Sequence, residues 1–196
     1  MSAPKAQCPV CFRDSVRVPC ELCAMAGIWN LSAIVAMTKD GVIAVGGRMP
    51  WKCSQDMARF RALTLDHNNG KGLPFHAQGK RVIMGRKTWD SLPVAPLAGR
   101  ANVVLTSRPE NLAGALFDQN PDNLHYGVVI GGAQVYRQFL PRCKYLFLTT
   151  IPDAMVQDTS GERTLFPMEY LSEFPHVIAS ETVDVVHYQT LRNRTR

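Results

Sequence analysis

The sequence predicts an α/β domain with a mixed, mainly parallel sheet flanked by helices, closed by an antiparallel edge at its C-terminal end and preceded by a small zinc-ribbon-like module. Three observations predict it. Short β-branched runs, "RVIM", "ANVVLTS" and "GVVIGG", alternate with stretches of helical spacing, the pattern of strands buried on both faces of a parallel sheet. The final segments, "KYLFLTTI" and then "HVIASETVDVVHYQTLRN", have no helix between them and read as antiparallel strands. Four of the six cysteines fall within the first 23 residues. A chain of 196 residues suits one domain of ordinary size plus an appendage, which we set at residues 30–196 and 1–24.

The appendage comes first. Cys8 and Cys11 ("CPVC") and Cys20 and Cys23 ("CELC") form two C-x-x-C pairs, which supply four thiolates at the spacing of two facing knuckles. A tetrahedral structural zinc is the expected occupant. A redox or disulfide pair is the alternative, and so is an unstructured segment, but so short a piece could hardly bury enough surface to fold without metal. With all four positions filled by sulfur, such a zinc has no open site for catalysis. The module would present a surface to a protein or nucleic-acid partner. Cys53 and Cys143 are isolated and read as ordinary thiols.

In the domain, "NLSAIVAM" is an apolar strand and "KDGVIAVGG" a turn-rich loop. Residues 54–65 form a helix, with Ser54 as a reasonable N-cap. "DHNNGKGLPFHAQGK" is rich in glycine and reads as a long surface loop. The strands "RVIM", "ANVVLTS" and "GVVIGG" follow, with "KTWDSL" and "AQVYRQFL" as helices between and after them. Hydrophobic residues make up 46% of the chain and charged ones 19%, values of a soluble globular protein, and no apolar run spans a bilayer. The first residues lack the apolar core of a secretory signal, so a cytoplasmic protein, monomeric or homodimeric, is expected. The net charge of +6 fits a nucleic-acid partner, but equally a site for a phosphorylated cofactor and an anionic substrate.

The chemistry starts with Asp56 in "MPWKCSQDMARFRALT". Helical periodicity puts its carboxylate on one stripe with Phe60 and Leu63. An acid in a first helical turn has an ordinary explanation in the helix dipole. Its place on an apolar stripe also suits the floor of a pocket. Three strand ends are chemically loaded: Gly85, Arg86, Lys87 and Thr88; Thr106, Ser107 and Arg108; Gly131 and Gly132. Glycines let a pyrophosphate approach the backbone, and hydroxyls and cations suit an additional phosphate. No G-x-G-x-x-G fingerprint is present.

"IVAMTKDGVI", "MPWKCSQDMARFRALT", "VIMGRKTWDSL", "PLAGRANVVLTSR", "IGGAQVYRQFLP" and "LFLTTI" stand in the order and spacing of dihydrofolate reductase, which the chain resembles over about residues 30–190. The resemblance implies an NADPH-dependent enzyme that reduces dihydrofolate by hydride transfer to C6 and protonation at N5. By the same resemblance, Asp56 is the sole carboxylate of the pterin pocket, Thr149 supports it through a water, and water enters past the loop around Met49 and Trp51. Ile34, Phe60, Leu92 and Leu97 wall the pocket, and Arg100 clamps the glutamate tail. Tyr136 and Ile130 lie beside the nicotinamide. Arg86, Lys87, Thr88, Ser107 and Arg108 match the cofactor's phosphate shell. Ala36, Ile43, Gly85, Thr106, Gly131, Gly132, Ala133, Gln134 and Val135 complete the cofactor positions. A pyrimidine reductase of riboflavin synthesis shares the fold and cofactor but does not call for Asp56; a scaffold acting through the cysteine module is a third reading.

The sequence departs from the family pattern at Ala44, where glycine is usual beside the nicotinamide carboxamide. "PVAPLAGR" lacks the arginine that some relatives have ahead of the leucine. Gln157-Asp158-Thr159 replaces Gly-Asp-Thr and is followed by the insertion "SGER", which implies altered loop gating.

Overall fold

A computed structural model describes residues 6–7, 14–15, 30–65, 81–157 and 159–195. The central strand is β3 (Asn30–Thr38), and its alternation sets the layers. Leu31, Ala33, Val35 and Met37 point into the principal core, with Tyr136, Phe139, Leu146 and Leu148. Ile34, pointing the other way, meets Val128 and Phe147 under Phe60 and Leu63. Because successive side chains of a strand leave on opposite faces, a strand apolar at nearly every position must be covered twice. Here the covers are α3 (Ala133–Phe139) on one face and α1 (Ser54–Leu65) on the other.

The other strands are β1 (Ala6–Gln7), β2 (Asp14–Ser15), β4 (Val42–Val45), β5 (Arg81–Gly85), β6 (Ala101–Leu105), β7 (Leu116–Asp118), β8 (Tyr126–Gly131), β9 (Cys143–Ile151), β10 (Arg163–Leu165), β11 (His176–Val183) and β12 (Val186–Arg192), with a short helix α2 at Arg86–Asp90. Eight of them make one sheet in the order β11-β12-β9-β3-β8-β5-β6-β7. All neighbours from β9 to β7 run parallel. The antiparallel partners are β9 with β12 and β12 with β11. Thus the mixed, mainly parallel sheet is as expected, with one refinement: "KYLFLTTI" is parallel to β3 and becomes antiparallel only to the strand outside it.

Two local expectations need correction. The turn-rich loop "KDGVIAVGG" contains β4, which pairs antiparallel with β10, the strand that begins at Arg163, the last residue of the insertion "SGER". Long-range pairing overrode a local turn signal. Ser54 is the first residue of α1, not its cap. The preceding residue, Cys53, does that work: its Sγ accepts the Asp56 N–H at 3.4 Å and its carbonyl accepts the Met57 N–H at 3.1 Å. The four-cysteine set Cys8, Cys11, Cys20 and Cys23, the long loop after residue 65 and Asp158 lie outside the described residues.

Candidate active site

Asp56 sits in the first turn of α1 with its side chain turned toward the sheet, and only 7% of its surface is exposed. Phe60 and Leu63, one and two turns on, hold the helix against Ile34, Val128 and Phe147. Burying such a side chain fully is worth ~1.5–3 kcal/mol. The stripe therefore offsets part of the cost of bringing a carboxyl inside. Burial pushes the Asp56 carboxyl above the ordinary aspartate range, while a hydrogen bond from Thr149 and the charge of Arg59 pull it back. Thr149, itself buried on β9 two residues beyond Phe147, is thus the hydroxyl that acts on Asp56.

The residues expected to wall the pocket fall into two clusters. Ile34 and Phe60 share one cluster, while Leu92 and Leu97 pack together against Val82, Met84, Trp89 and Val104. Ile130 at the end of β8 touches both clusters. Arg100 leans over the Phe60 ring, 5.7 Å from its centroid. Its Nη1 donates to Thr64 Oγ1 of α1 at 2.8 Å and its Nε to the Ala98 carbonyl at 3.2 Å. Burial and the neighbouring Arg61 both hold its pKa below that of a free guanidinium. Among the described residues this tethered cation has no carboxylate partner, and a guanidinium so held suits a carboxylate ligand. Asn102 shapes the turn that carries it: Oδ1 accepts the Leu97 N–H at 2.9 Å, and Nδ2 donates to the Leu97 and Arg100 carbonyls at 3.0 and 2.8 Å.

At the carboxyl ends of β5 and β8, glycines form a cradle. A Cβ on Gly85 would stand 3.1 Å from Val135, and one on Gly132 would stand 3.3 Å from Thr88 Oγ1. Gly131, at φ +114°, would push a Cβ to 3.1 Å from the Tyr136 ring. Gly85 and Gly132 start α2 and α3 without side-chain caps, leaving the first amides, those of Ala133, Gln134 and Val135 among them, to other partners. Tyr136 is buried and donates its hydroxyl to the Ile34 carbonyl at 2.7 Å, tying α3 to β3. Burial first, then the charge of Asp56, keep this phenol protonated.

The phosphate-shell residues divide by what they already touch. Arg86 donates Nε to both oxygens of Asp90 at 2.9 Å and Nη1 to the Arg108 and Glu110 carbonyls at 3.0 and 2.7 Å. It therefore staples α2 to the segment after β6. Thr106 Oγ1 accepts the Arg108 N–H at 3.0 Å, shaping the same turn. Lys87, Ser107 and Arg108 are exposed and Thr88 half-buried. Ala36 and Ile43 are half-buried on β3 and β4. Trp51 is buried against Cys53, Ile151, Val186 and Tyr188, and its Nε1 has no partner among the described residues. Met49, two residues earlier, is half exposed.

The family model described as dihydrofolate reductase matches residues 30–184. The chain belongs to the dihydrofolate reductase family. Among its relatives, the dihydrofolate reductase of Neisseria meningitidis serogroup A is 36% identical over 130 residues, covering 62% of this chain and 72% of that protein. That of Mycobacterium tuberculosis is 39% identical over 124 residues, covering 57% and 66%. The solved structure of the Enterococcus faecalis dihydrofolate reductase, complexed with NADP(H) and RAB-propyl, superposes with a TM-score of 0.66 at 26% identity. It covers 84% of this chain and 96% of that one.

Set against this dihydrofolate reductase frame, three residues beside the pocket went unread in the sequence. Cys53 caps α1 rather than being an idle thiol. Asn102 organises the Arg100 turn. Arg59 reaches Thr149 from α1. Its position three residues after Asp56, on a neighbouring row of the helix, was the available signal. Among the described residues no group of acids, histidines and cysteines could hold a metal. No described helix is long and apolar enough to cross a membrane.

Proposed function

We propose that the chain reduces 7,8-dihydrofolate to 5,6,7,8-tetrahydrofolate with NADPH, supporting one-carbon and thymidylate metabolism. The observation that carries this reading is Asp56: a buried carboxylate acted on by Thr149, on the face of α1 whose Phe60 and Leu63 pack over Ile34 and Phe147. A flat ring offering a 2-amino group and N3–H supplies two donors to one carboxylate, which compensates its burial. No second acid faces that pocket in the sequence motifs, so the proton for N5 comes through water, with Asp56 favouring its arrival. The loop at Met49 and Trp51 admits that water, and the unpartnered Trp51 Nε1 is a donor for it. Arg100 holds the glutamate tail by its α-carboxylate, and Leu92 and Leu97 line the way to it.

The glycines at the ends of β5 and β8 suit a dinucleotide, because a side chain at Gly85, Gly131 or Gly132 would press on Val135, the Tyr136 ring or Thr88 and displace the backbone amides that a pyrophosphate would meet. NADPH supplies the hydride delivered to C6 when it is bound. Gly131, Gly132, Ala133, Gln134, Val135 and Gly85 hold the pyrophosphate through their backbone. Thr88, Lys87, Thr106, Ser107 and Arg108 meet the phosphates, with Arg86 fixing the turn that carries them. Ala36, Ile43, Ile130 and Tyr136 bound the nicotinamide. The Enterococcus relative was solved with NADP(H), which supports the cofactor. Cys8, Cys11, Cys20 and Cys23 hold a structural zinc in this reading, which rests on the spacing of the two C-x-x-C pairs.

Purified protein is expected to consume NADPH when dihydrofolate is added, and Asp56→Asn to lose most of that turnover while remaining folded. Undiminished turnover in the variant overturns the role of Asp56.

A further inference from the structure

Arg59 lies one turn beyond Asp56 on α1, where a long cationic side chain on a helix flank would ordinarily run out into water. It is folded back on the sheet instead. Nη1 is 3.5 Å from both the Leu148 carbonyl and Thr149 Oγ1, and Nη2 is 3.5 Å from the Gln189 carbonyl. The guanidinium carbon is 4.8 Å from the centroid of the Tyr188 ring. Contacts from β9 and β12 therefore meet on a cation carried by the helix of the pocket acid.

We propose that Arg59 is a positioning residue for Asp56: through its contact with Thr149 it orients that hydroxyl toward the carboxylate, and its charge favours the ionised form of the acid. A threonine hydroxyl has one proton to give. If its oxygen accepts from Arg59, the proton is left for Asp56, and Thr149 cannot turn away without losing both partners. The charge acts in the same sense, because a cation beside a poorly hydrated carboxylate favours the ionised form that receives the pterin's donors.

The other groups around the pair do not replace this cation. Asp56 also faces Tyr136 of α3, whose hydroxyl is committed to the Ile34 carbonyl, and Tyr188 of β12. Cys53 stands beside Tyr188 and caps the helix with its thiol. Tyr188 is pushed up to about 12, by burial first and then by Cys53 and Asp56, so it stays neutral. Arg59 itself is drawn down by burial and supported by Asp56, Glu181 of β11 and Tyr188. Glu181 is thus a second anion that shares the cation, and it dilutes the effect on Asp56 without reversing it.

The inference rests on Asp56 being the acid of the pocket, and the test separates the two. In full-length protein carrying carbon-13 at its aspartate carboxyls, the Asp56 signal is assigned by its loss in Asp56→Asn and titrated in the parent, Arg59→Met, Arg59→Gln and Arg59→Lys. Removing the charge is expected to raise the Asp56 midpoint by roughly half a unit to one unit. Arg59→Lys should restore most of that shift, and the pH profile of single-turnover dihydrofolate reduction should move with it. A midpoint unmoved in both neutral variants overturns the proposal. If the midpoint moves but Asp56→Asn turns over normally, the coupling stands and the assignment of Asp56 to the reaction falls.

Discussion

At the scale of single residues, the pocket acid stores a conflict between stability and chemistry. Burial raises the folded-state pKa of Asp56 above the unfolded 3.8, against the pull of Thr149 and Arg59. Between the two pKa values the folded chain binds more protons than the unfolded one, so stability falls as pH rises through that window. Above both, the full penalty of a buried anion is present. Asp56→Asn is therefore expected to melt higher than the parent at pH 7, with the gain shrinking as pH falls and vanishing below the unfolded pKa. Thermal melts of both proteins from pH 3 to 8 check this, and a gain that persists undiminished at pH 3 contradicts it. The inward turn of Asp56 was legible because Phe60 and Leu63 follow at helical intervals. The tasks of Cys53 and Asn102 were not, since a thiol cap and a side-chain brace depend on backbone groups that only the folded turn brings near.

At the scale of elements, what the sequence made readable were the strands buried on both faces. β5, β6 and β8 each have a middle of consecutive buried residues, apolar but for Asn102 and Gly127, that needs a cover on both faces, and that requirement is written locally. Strands β4, β7 and β10 have three or four residues each and owe their extension to a partner strand, which for β4 and β10 is distant in the chain. Nothing local announces them. The end of β8 shows how far an element can depend on one residue. Gly131 combines a left-handed backbone with a close approach to Tyr136, whose hydroxyl ties α3 to β3. Gly131→Ala is expected to cost ~1–3 kcal/mol, from strain at positive φ and from displacing the ring. Its urea midpoint should fall accordingly, and NADPH affinity should fall with it if the cradle is the cofactor site. An unchanged midpoint would mean that the ring yields freely.

At the scale of the molecule, all eight strands of the main sheet and the core clusters that cover them come from residue 30 onward. Strands β1 and β2 pair only with each other. Among the described residues, none before Asn30 belongs to the sheet against which the helix of Asp56 packs. Four thiolates saturate a tetrahedral zinc, so a metal there stabilises its own segment and offers no site to substrate. Deleting residues 1–24 is accordingly expected to abolish bound zinc, about one per chain in the parent, while NADPH-dependent turnover of dihydrofolate survives. Metal analysis and steady-state assays of the two forms decide it. If turnover disappears while the truncated chain still melts cooperatively, the segment contributes to the active site, and the division into a module and a catalytic domain is wrong. If zinc is absent from the full chain, the cysteines serve another chemistry, and the domain's own reading from Asp56 outward is untouched.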